Sequence, residues 1–510
     1  MSSSTIGILI SIIVYLGGMI TIGAVLAKRN KNAGDFYLGG RKLGPFVTAM
    51  SAEASDMSGW LLMGLPGVAY LTGVADAAWT AIGLAVGTYI NWLIVAKRIR
   101  TYSQLNNAIT LPDFFSNRYH DQKKILMFIA AAVIIVFFVP YTASGFAACG
   151  KLFSTLFGIS YVKAMIISAI VIVLYTSLGG FLAASTTDFI QGIIMSIALV
   201  VILCFGVHAA GGFDIVVSNA NELPGYLSFT QIYNTATGEV SDYSLLTICS
   251  MMAWGLGYFG MPHVLLRFMA IKDKEKLKLS RRVATSWVVI SLAIAVFIGI
   301  VGYSMSLYGT IPVLDDPETI IVQISQVIAS YGFVFALLGG VILAGIMAST
   351  MSTADSQLLA ASSSITENML KGTFKMNVSD KTGVVIARVT VVCIAILGVI
   401  LARDPNSSVF NIVAFSWAGF GAAFGPVMLF SLFWKRTTLP GAFAGMVSGG
   451  AMVFIWKYLI APIGGVFGIY ELLPSFVVSC IFVLVVSLLT KAPSKEITDE
   501  FDEYQRLMHQ

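Results

Sequence analysis

The sequence predicts an all-α polytopic membrane protein with about thirteen transmembrane helices, its N-terminus outside and its C-terminus inside. Three observations lead there: the composition, the recurrence of long apolar runs, and the one-sided placement of the cations. Of 510 residues, 57% are hydrophobic and 11% charged, with a mean hydropathy of +0.85. Ordinary soluble domains carry about 25% charged residues, so a water-facing surface cannot be assembled from this chain. Apolar runs recur from end to end, and about 20 such residues suffice to cross a bilayer core. A β-barrel would instead show alternating segments of about ten residues, which are absent.

The first run, 6–27, exceeds a secretory apolar region, and its cations Lys28, Arg29 and Lys31 follow rather than precede it. A signal peptide has the reverse order, so this is a retained span. Twelve more are expected at 45–71, 77–97, 124–149, 161–184, 189–209, 244–270, 283–307, 333–368, 383–402, 409–433, 439–460 and 473–490. Residues 319–330 form a short amphipathic helix on the outside. The ninth span is long enough to tilt or to project into water.

Loop charge fixes the orientation. Cytoplasmic loops are enriched in Lys and Arg. With the N-terminus outside, only Lys151, Lys163, Arg403 and Lys457 of the 31 Lys and Arg residues fall on the outer side. The outer loop 210–243 has none, although it carries Asp214, Glu222, Glu239 and Asp242. One span more or fewer would invert every later loop and erase this asymmetry.

Thirteen spans divide as one, ten and two. Residues 1–44 hold a peripheral first helix and an inner loop. Residues 45–243 hold a first group of five helices with an outer loop, and 244–434 a second group of five that starts from the opposite side. Residues 435–490 add two peripheral helices, and 491–510 form a cytoplasmic tail. Two five-helix groups of opposite topology, each led by an interrupted helix, form the inverted repeat of many secondary transporters.

Inside this frame a few polar residues stand out. MSAEASDMSGW, residues 50–60, puts Glu53 and Asp56 in an apolar span. A carboxylate near the bilayer centre costs about 2.5–3.5 kcal/mol and must face protein, water or an ion. Its small neighbours, with Gly64, Pro66 and Gly67 beyond, let the helix unwind and turn carbonyls toward a hard cation. A structural pairing of Asp56 with a base such as Arg41 is the alternative. MASTMSTADSQ, residues 347–357, places Ser349, Ser352, Thr353 and Ser356 at helical spacings of three and four, beside Asp355. Such hydroxyls either bond the carbonyl one turn back or line an ion site. In WGLGYFGMPH, residues 254–263, glycines and Pro262 loosen the helix. Trp254 and Tyr258, four apart, either wall a small solute or belong to an interfacial aromatic belt. The five cysteines are scattered in apolar runs and read as small buried hydrophobes. Zinc spacings, nucleotide-binding loops and nucleophile–base constellations are absent, so the chain is expected not to be an enzyme and not to bind nucleic acid.

LGGRKLGPFVTAMSAEASDMSGWLLMGLPG, TLPDFF, WGLGYFGMPH, MSTADSQLL and FSWAGFGAAFGPV resemble the sodium/solute symporter family, closest to its bacterial sodium/proline symporters, over residues 5–493. The resemblance implies a leucine-transporter-type core. It also implies a sodium site of the Ala54 and Met57 carbonyls, the Ser349 carbonyl, and the Ser352 and Thr353 hydroxyls, with Asp56 required for sodium coupling. Ser58, Gly59, Trp60, Tyr141, Trp254, Tyr258 and Pro262 would form a proline pocket. Arg41 and Ser51 match functional positions on the inner side. Asp188, just before the sixth span, would join Asp355 and Ser356 in a second cation site. Glu53, where these symporters carry glycine, and Asp355 depart from the pattern and leave stoichiometry open.

The expected function is sodium-coupled symport of a small amino acid, L-proline first, into the cell across the plasma membrane. The partners are sodium, the solute and lipid, and the sequence carries no signal for oligomeric state. The alternative is a sodium symporter for another small amino acid or carboxylate. A channel would need a continuous polar pore, where the sequence shows isolated pockets. A sensor would need an output domain larger than 491–510.

Overall fold

The computed structural model describes residues 3–28, 33–177, 179–234 and 237–509. Arg29 and Lys31, counted on the inner side above, lie outside these residues. Among the described residues, ten helices are long and apolar enough to cross a membrane, or eleven if Leu245–Phe259 and Pro262–Ala270, bent by 45°, are one span. Two expected spans fall short of that measure. Residues 45–72 are helical but interrupted, and Tyr161–Thr176 has only 16 residues. The outer amphipathic helix is Ile320–Ser330. The long ninth span is Phe333–Ser363, continued by a wider turn to Thr373.

Burial separates the interior from the lipid face. Val409–Phe433 buries Trp417, Phe420 and Phe424. Asp380–Leu401 exposes Val385, Val389, Ile396 and Ile400 by more than half, as a helix against acyl chains does.

Three boundaries differ from the sequence reading. Gly179 and Gly180 end the fifth helix early, so the sixth is Phe181–Ala209. Asp188 is therefore two turns inside that helix, not ahead of it. The cation-free outer loop folds into a helix, Phe213–Asn221, and a hairpin pairing Gln231–Asn234 with Glu239–Asp242. It packs on the interrupted helix: the buried Tyr226 hydroxyl donates to the Ala69 and Tyr70 carbonyls at 2.9 and 2.8 Å. A Cβ on Gly73, at φ +79°, would run into the Tyr226 carbonyl. Finally, the tail forms a helix, Lys495–His509. Tyr504 of that helix stacks on Tyr102 with centroids 4.4 Å apart.

The cation-rich loops meet at one end. Lys97 pairs with Glu275 at 2.8 Å, Lys435 with Asp502 at 2.5 Å, and Lys274 donates to the Leu507 carbonyl at 2.9 Å. There the starts and ends of the two interrupted helices join: the Leu43 amide donates to the Ala270 carbonyl at 3.2 Å, and the Lys272 amide to the Leu43 carbonyl at 3.0 Å.

The other end is held by Glu318. Its carboxylate accepts from Lys151 Nζ at 2.6 Å, Ser408 Oγ at 2.9 Å, and the Val409 and Phe410 amides at 3.0 Å each. It thereby satisfies the orphan amides of the helix Val409–Phe433, where a negative charge also complements the helix dipole. Removing one member of a buried ion pair costs about 3–5 kcal/mol. Glu318→Gln should therefore lower the unfolding temperature of the purified protein by several degrees. Lys151 still pairs with Asp316 at 2.8 Å in that variant, which offsets part of the loss. Equal melting of Glu318→Gln and wild type would show that the cluster carries no stability.

Candidate functional site

The interrupted helix turns at Ser58, whose φ of 47° and ψ of −169° leave the helical range. A non-glycine residue in such a conformation costs about 1–3 kcal/mol and persists only where its surroundings impose it. Here they do. The Trp60 amide donates to Ser58 Oγ at 3.1 Å and to the Met57 carbonyl. Gly59 lies so close to the helix Ile125–Phe157 that a Cβ would stand 2.8 Å from Ala148 Cβ. The break frees carbonyls that a continuous helix would use. Tyr141 donates to the Asp56 carbonyl at 2.9 Å. Ser352 donates to the Ala54 carbonyl at 2.8 Å.

Ser352 joins this break to Phe333–Ser363. On that helix the Ser349 carbonyl accepts from Ser352 at 3.2 Å and from Thr353 at 3.0 Å. Two carbonyls and two hydroxyls, from Ala54, Ser349, Ser352 and Thr353, therefore stand together. All four residues are buried. This is the donor type of a hard cation. Among the described residues no group of three or more His, Cys, Asp or Glu gathers as a metal site. The oxygens gathered at this contact are all neutral.

The other expected members fall differently. The Met57 carbonyl is engaged by the Trp60 amide. The Asp56 carboxylate faces the second interrupted helix, with Oδ1 4.0 Å from His263 Nε2 and Tyr258 beside it. Arg41 is not the partner of Asp56. Its guanidinium donates to the Ser103, Met269 and Ala108 carbonyls at 2.9, 2.6 and 2.7 Å, and to Ser103 Oγ at 3.0 Å. It clasps the cation-rich end. Burial, with the Arg100 charge near, pulls its guanidinium down to about 10 from the ordinary arginine range.

Asp188, Asp355 and Ser356 do come together, but around Arg267, one of the cations that the loop-charge count leaves on the inner side. Arg267 Nη2 donates to Asp188 Oδ2 at 3.0 Å and to Ser356 Oγ at 2.5 Å, and Arg267 Nε donates to Ser51 Oγ at 3.0 Å. Ser51 donates to Asp188 Oδ2 at 2.7 Å, and Ser356 to Asp355 Oδ1 at 3.2 Å. The guanidinium is 1% exposed. It sits where the second cation was expected, and Ser51 is part of its cradle. An arginine three residues short of its helix end, facing inward, was the available signal, since intramembrane bases pair with acids.

The aromatic residues form one buried cluster. Trp60 lies 5.3 Å from Trp254 and 5.6 Å from Phe410, centroid to centroid. Trp254 stacks on Tyr470 at 5.0 Å. Tyr258 meets Trp417 edge-on at 5.0 Å, and Trp417 Nε1 donates to the Trp254 carbonyl at 2.7 Å. Trp254 and Tyr258 are 2% and 1% exposed, which rules out an interfacial belt. Pro262 opens the helix Pro262–Ala270. Phe410 and Trp417 escaped the sequence reading because aromatics recur throughout 409–433, and Tyr470 because it lies between two expected spans.

Two helices, each interrupted midway and crossed by an aromatic cluster and an oxygen-lined contact, define a secondary transporter of the inverted-repeat class. The family model for the sodium:solute symporter family matches residues 36–449. The chain is 42% identical over 509 residues to the sodium/proline symporter of Haemophilus influenzae, covering 98% of this chain and 97% of that one. It is 43% identical over 494 residues to the high-affinity proline transporter PutP of Bacillus subtilis, covering 96% and 100%. In structure it is similar to a sodium-coupled sialic acid symporter in its substrate-bound outward-open state, with a TM-score of 0.77 at 17% identity over 96% of this chain and 99% of that one. It is also similar to Mhp1, a nucleobase-cation-symport-1 family transporter, with a TM-score of 0.57 at 13% identity over 93% and 99%. The chain belongs to the sodium:solute symporter family. It is a multi-pass membrane protein with the leucine-transporter-type fold.

If Asp188 and Arg267 hold each other, Arg267→Met should strand a buried carboxylate and cost about 3–5 kcal/mol. Asp188→Asn added to it should recover part of the loss, because Asp355 still lacks its cation. The yield of monodisperse protein in detergent measures both. A single Arg267→Met variant that purifies as well as wild type would contradict the pairing.

Proposed function

We propose that the protein carries sodium together with a small amino acid, L-proline, into the cell by alternating access. The observation that carries this reading is the contact of the Ala54 carbonyl at the helix break with the Ser352 hydroxyl of the neighbouring helix. The relatives named above for sodium and proline support the choice of ion and solute. Residues 45–243 and 244–434 are the two repeats of the core, 1–44 and 435–490 its peripheral helices, and 491–510 the inner tail. Thirteen crossings with the N-terminus outside account best for the loop charges.

Sodium arriving from outside enters between the two helices as the Ser352 O–H rotates away from the Ala54 carbonyl, the hydroxyl keeping its proton. The Ala54 and Ser349 carbonyls and the Ser352 and Thr353 hydroxyls then surround it, with Met57 completing the shell once its carbonyl turns from Trp60. The ion fixes the interrupted helix against Phe333–Ser363. Fixing the break also fixes Ser58, Gly59 and Trp60, which border the solute. Two ligands that favour one arrangement raise each other's affinity equally. The apolar ring of the solute lies among Trp60, Trp254, Tyr258 and Tyr141. Its carboxylate faces the helix N-termini that begin after the break at Ser58 and at Pro262–Ala270, where the helix dipole favours anions. Ser51 and Arg41 hold the inner end that opens on release.

The energetics set a limit. One sodium crossing 100 mV supplies about 2.3 kcal/mol, and a tenfold gradient adds about 1.4 kcal/mol. Concentrating a solute a thousandfold needs about 4.1 kcal/mol. One ion falls just short under those conditions, and a second coupled cation would exceed the need.

In proteoliposomes, an inward sodium gradient should drive accumulation of proline above that of other small amino acids and carboxylates. Uptake that is indifferent to the gradient would overturn the proposal. Ser352→Ala and Thr353→Ala should each raise the sodium concentration for half-maximal uptake about tenfold, equivalent to about 1.4 kcal/mol. Tyr258→Leu should weaken solute affinity by a similar factor. An unchanged solute affinity there would take Tyr258 out of the pocket.

A further inference from the structure

Among the described residues, Glu53 and Asp56 form a pair of buried carboxylates with no Lys or Arg ion pair. Glu53 and Asp56 are one turn apart on the interrupted helix and lie within electrostatic reach of each other. Both are buried, at 0% and 4% exposure. Glu53 Oε1 accepts from Trp92 Nε1 at 2.8 Å, but Glu53 Oε2 and Asp56 Oδ1 have no hydrogen-bond partner. Tyr258 stands against Asp56 and Thr88. The Tyr258 hydroxyl interacts with the Asp56 carboxylate and the Thr88 hydroxyl, neither contact having full hydrogen-bond geometry, and both residues are 1% exposed. The nearest imidazole, that of His263, is 4.0 Å from Asp56 Oδ1, beyond hydrogen-bond reach. Of the other buried carboxylates, Asp121 accepts the Leu126 amide near the cation-rich end, and Glu318, Asp188, Asp355 and Glu471 each have a Lys or Arg in their cluster. Here oxygens outnumber donors, and two carboxylates share a low-dielectric site in which they repel.

We propose that Glu53, Asp56, Thr88 and Tyr258 form a second monovalent-cation subsite, distinct from the Ala54–Ser352 contact. The chemistry is that of a hard cation bound by oxygens. Two sources can supply it: a second sodium ion, or the secondary ammonium of the solute, whose ring would lie against the same Tyr258. Trp92 orients Glu53 by its single hydrogen bond. The inference rests on the sodium/proline reading for the second source alone.

The test compares wild type with Glu53→Gln and Thr88→Val, so that one variant remains informative if the other fails to fold. Radioactive sodium binding to the full chain in nanodiscs is counted without solute. Separately, inhibition of sodium-driven proline uptake by tetrahydrofuran-2-carboxylate, in which oxygen replaces the ring nitrogen, is measured in proteoliposomes. If sodium is the source, each variant binds one ion fewer per chain than wild type. If the ammonium is the source, the ion count is unchanged, and the preference for proline over the oxygen analogue narrows about tenfold, equivalent to about 1.4 kcal/mol. An unchanged count with an unchanged preference overturns the subsite. A wild type that takes up no proline overturns the proposed function instead, while the sodium count still decides the subsite.

Discussion

Backbone polar groups in a bilayer must be bonded inside the protein, and the break at Ser58 sets that rule against a helix whose carbonyls have been freed. The Ser352 hydroxyl, 2.8 Å from the Ala54 carbonyl, and the Tyr141 hydroxyl, 2.9 Å from the Asp56 carbonyl, are what make the break tolerable. An unsatisfied group there would cost several kcal/mol. The same two bonds tie the interrupted helix to two different neighbours, Phe333–Ser363 and Ile125–Phe157. Whatever enters between Ser352 and the Ala54 carbonyl therefore acts on the position of Ser58, Gly59 and Trp60, and through Trp60 on the ring cluster around Trp254.

Charge is used in two ways in the interior. Glu318 and Asp188 are held by Lys151 and Arg267 in geometries that leave the protein stable by itself. Glu318 also fixes the amide of Phe410, whose ring covers Trp60 and Trp254. The aromatic cluster is thus bounded by a charge lock above and by the Arg267 cradle toward the cation-rich end. Glu53 and Asp56 have no such base. The contrast separates carboxylates that hold the fold from the two that the proposed cation subsite would use.

Much of this was legible in the sequence, for physical reasons. Span positions follow from length and hydropathy, and the hydroxyl face of 347–357 from helical spacing, so Ser349, Ser352 and Thr353 were found together. Small residues around Asp56 announced the break. What the sequence hid depends on long-range packing. Arg267 counts as one of the inner-side cations until the fold places it against Asp188 and Ser356. The direction of the Asp56 carboxylate, toward Tyr258 and His263 rather than Ser352, follows from a backbone turn two residues away. The tail helix was legible but overlooked: Phe501, Tyr504 and Met508 recur at spacings of three and four, and Tyr504 is fully buried.

The most direct test is to solve the protein by electron cryo-microscopy in sodium and again with sodium replaced by choline, and to compare density at the helix break. A peak enclosed by the Ala54 and Ser349 carbonyls and the Ser352 and Thr353 hydroxyls, present in sodium alone, is the result expected. Two maps alike at these four residues, or a sodium peak elsewhere with none between them, would contradict the claim that the ion joins these two helices.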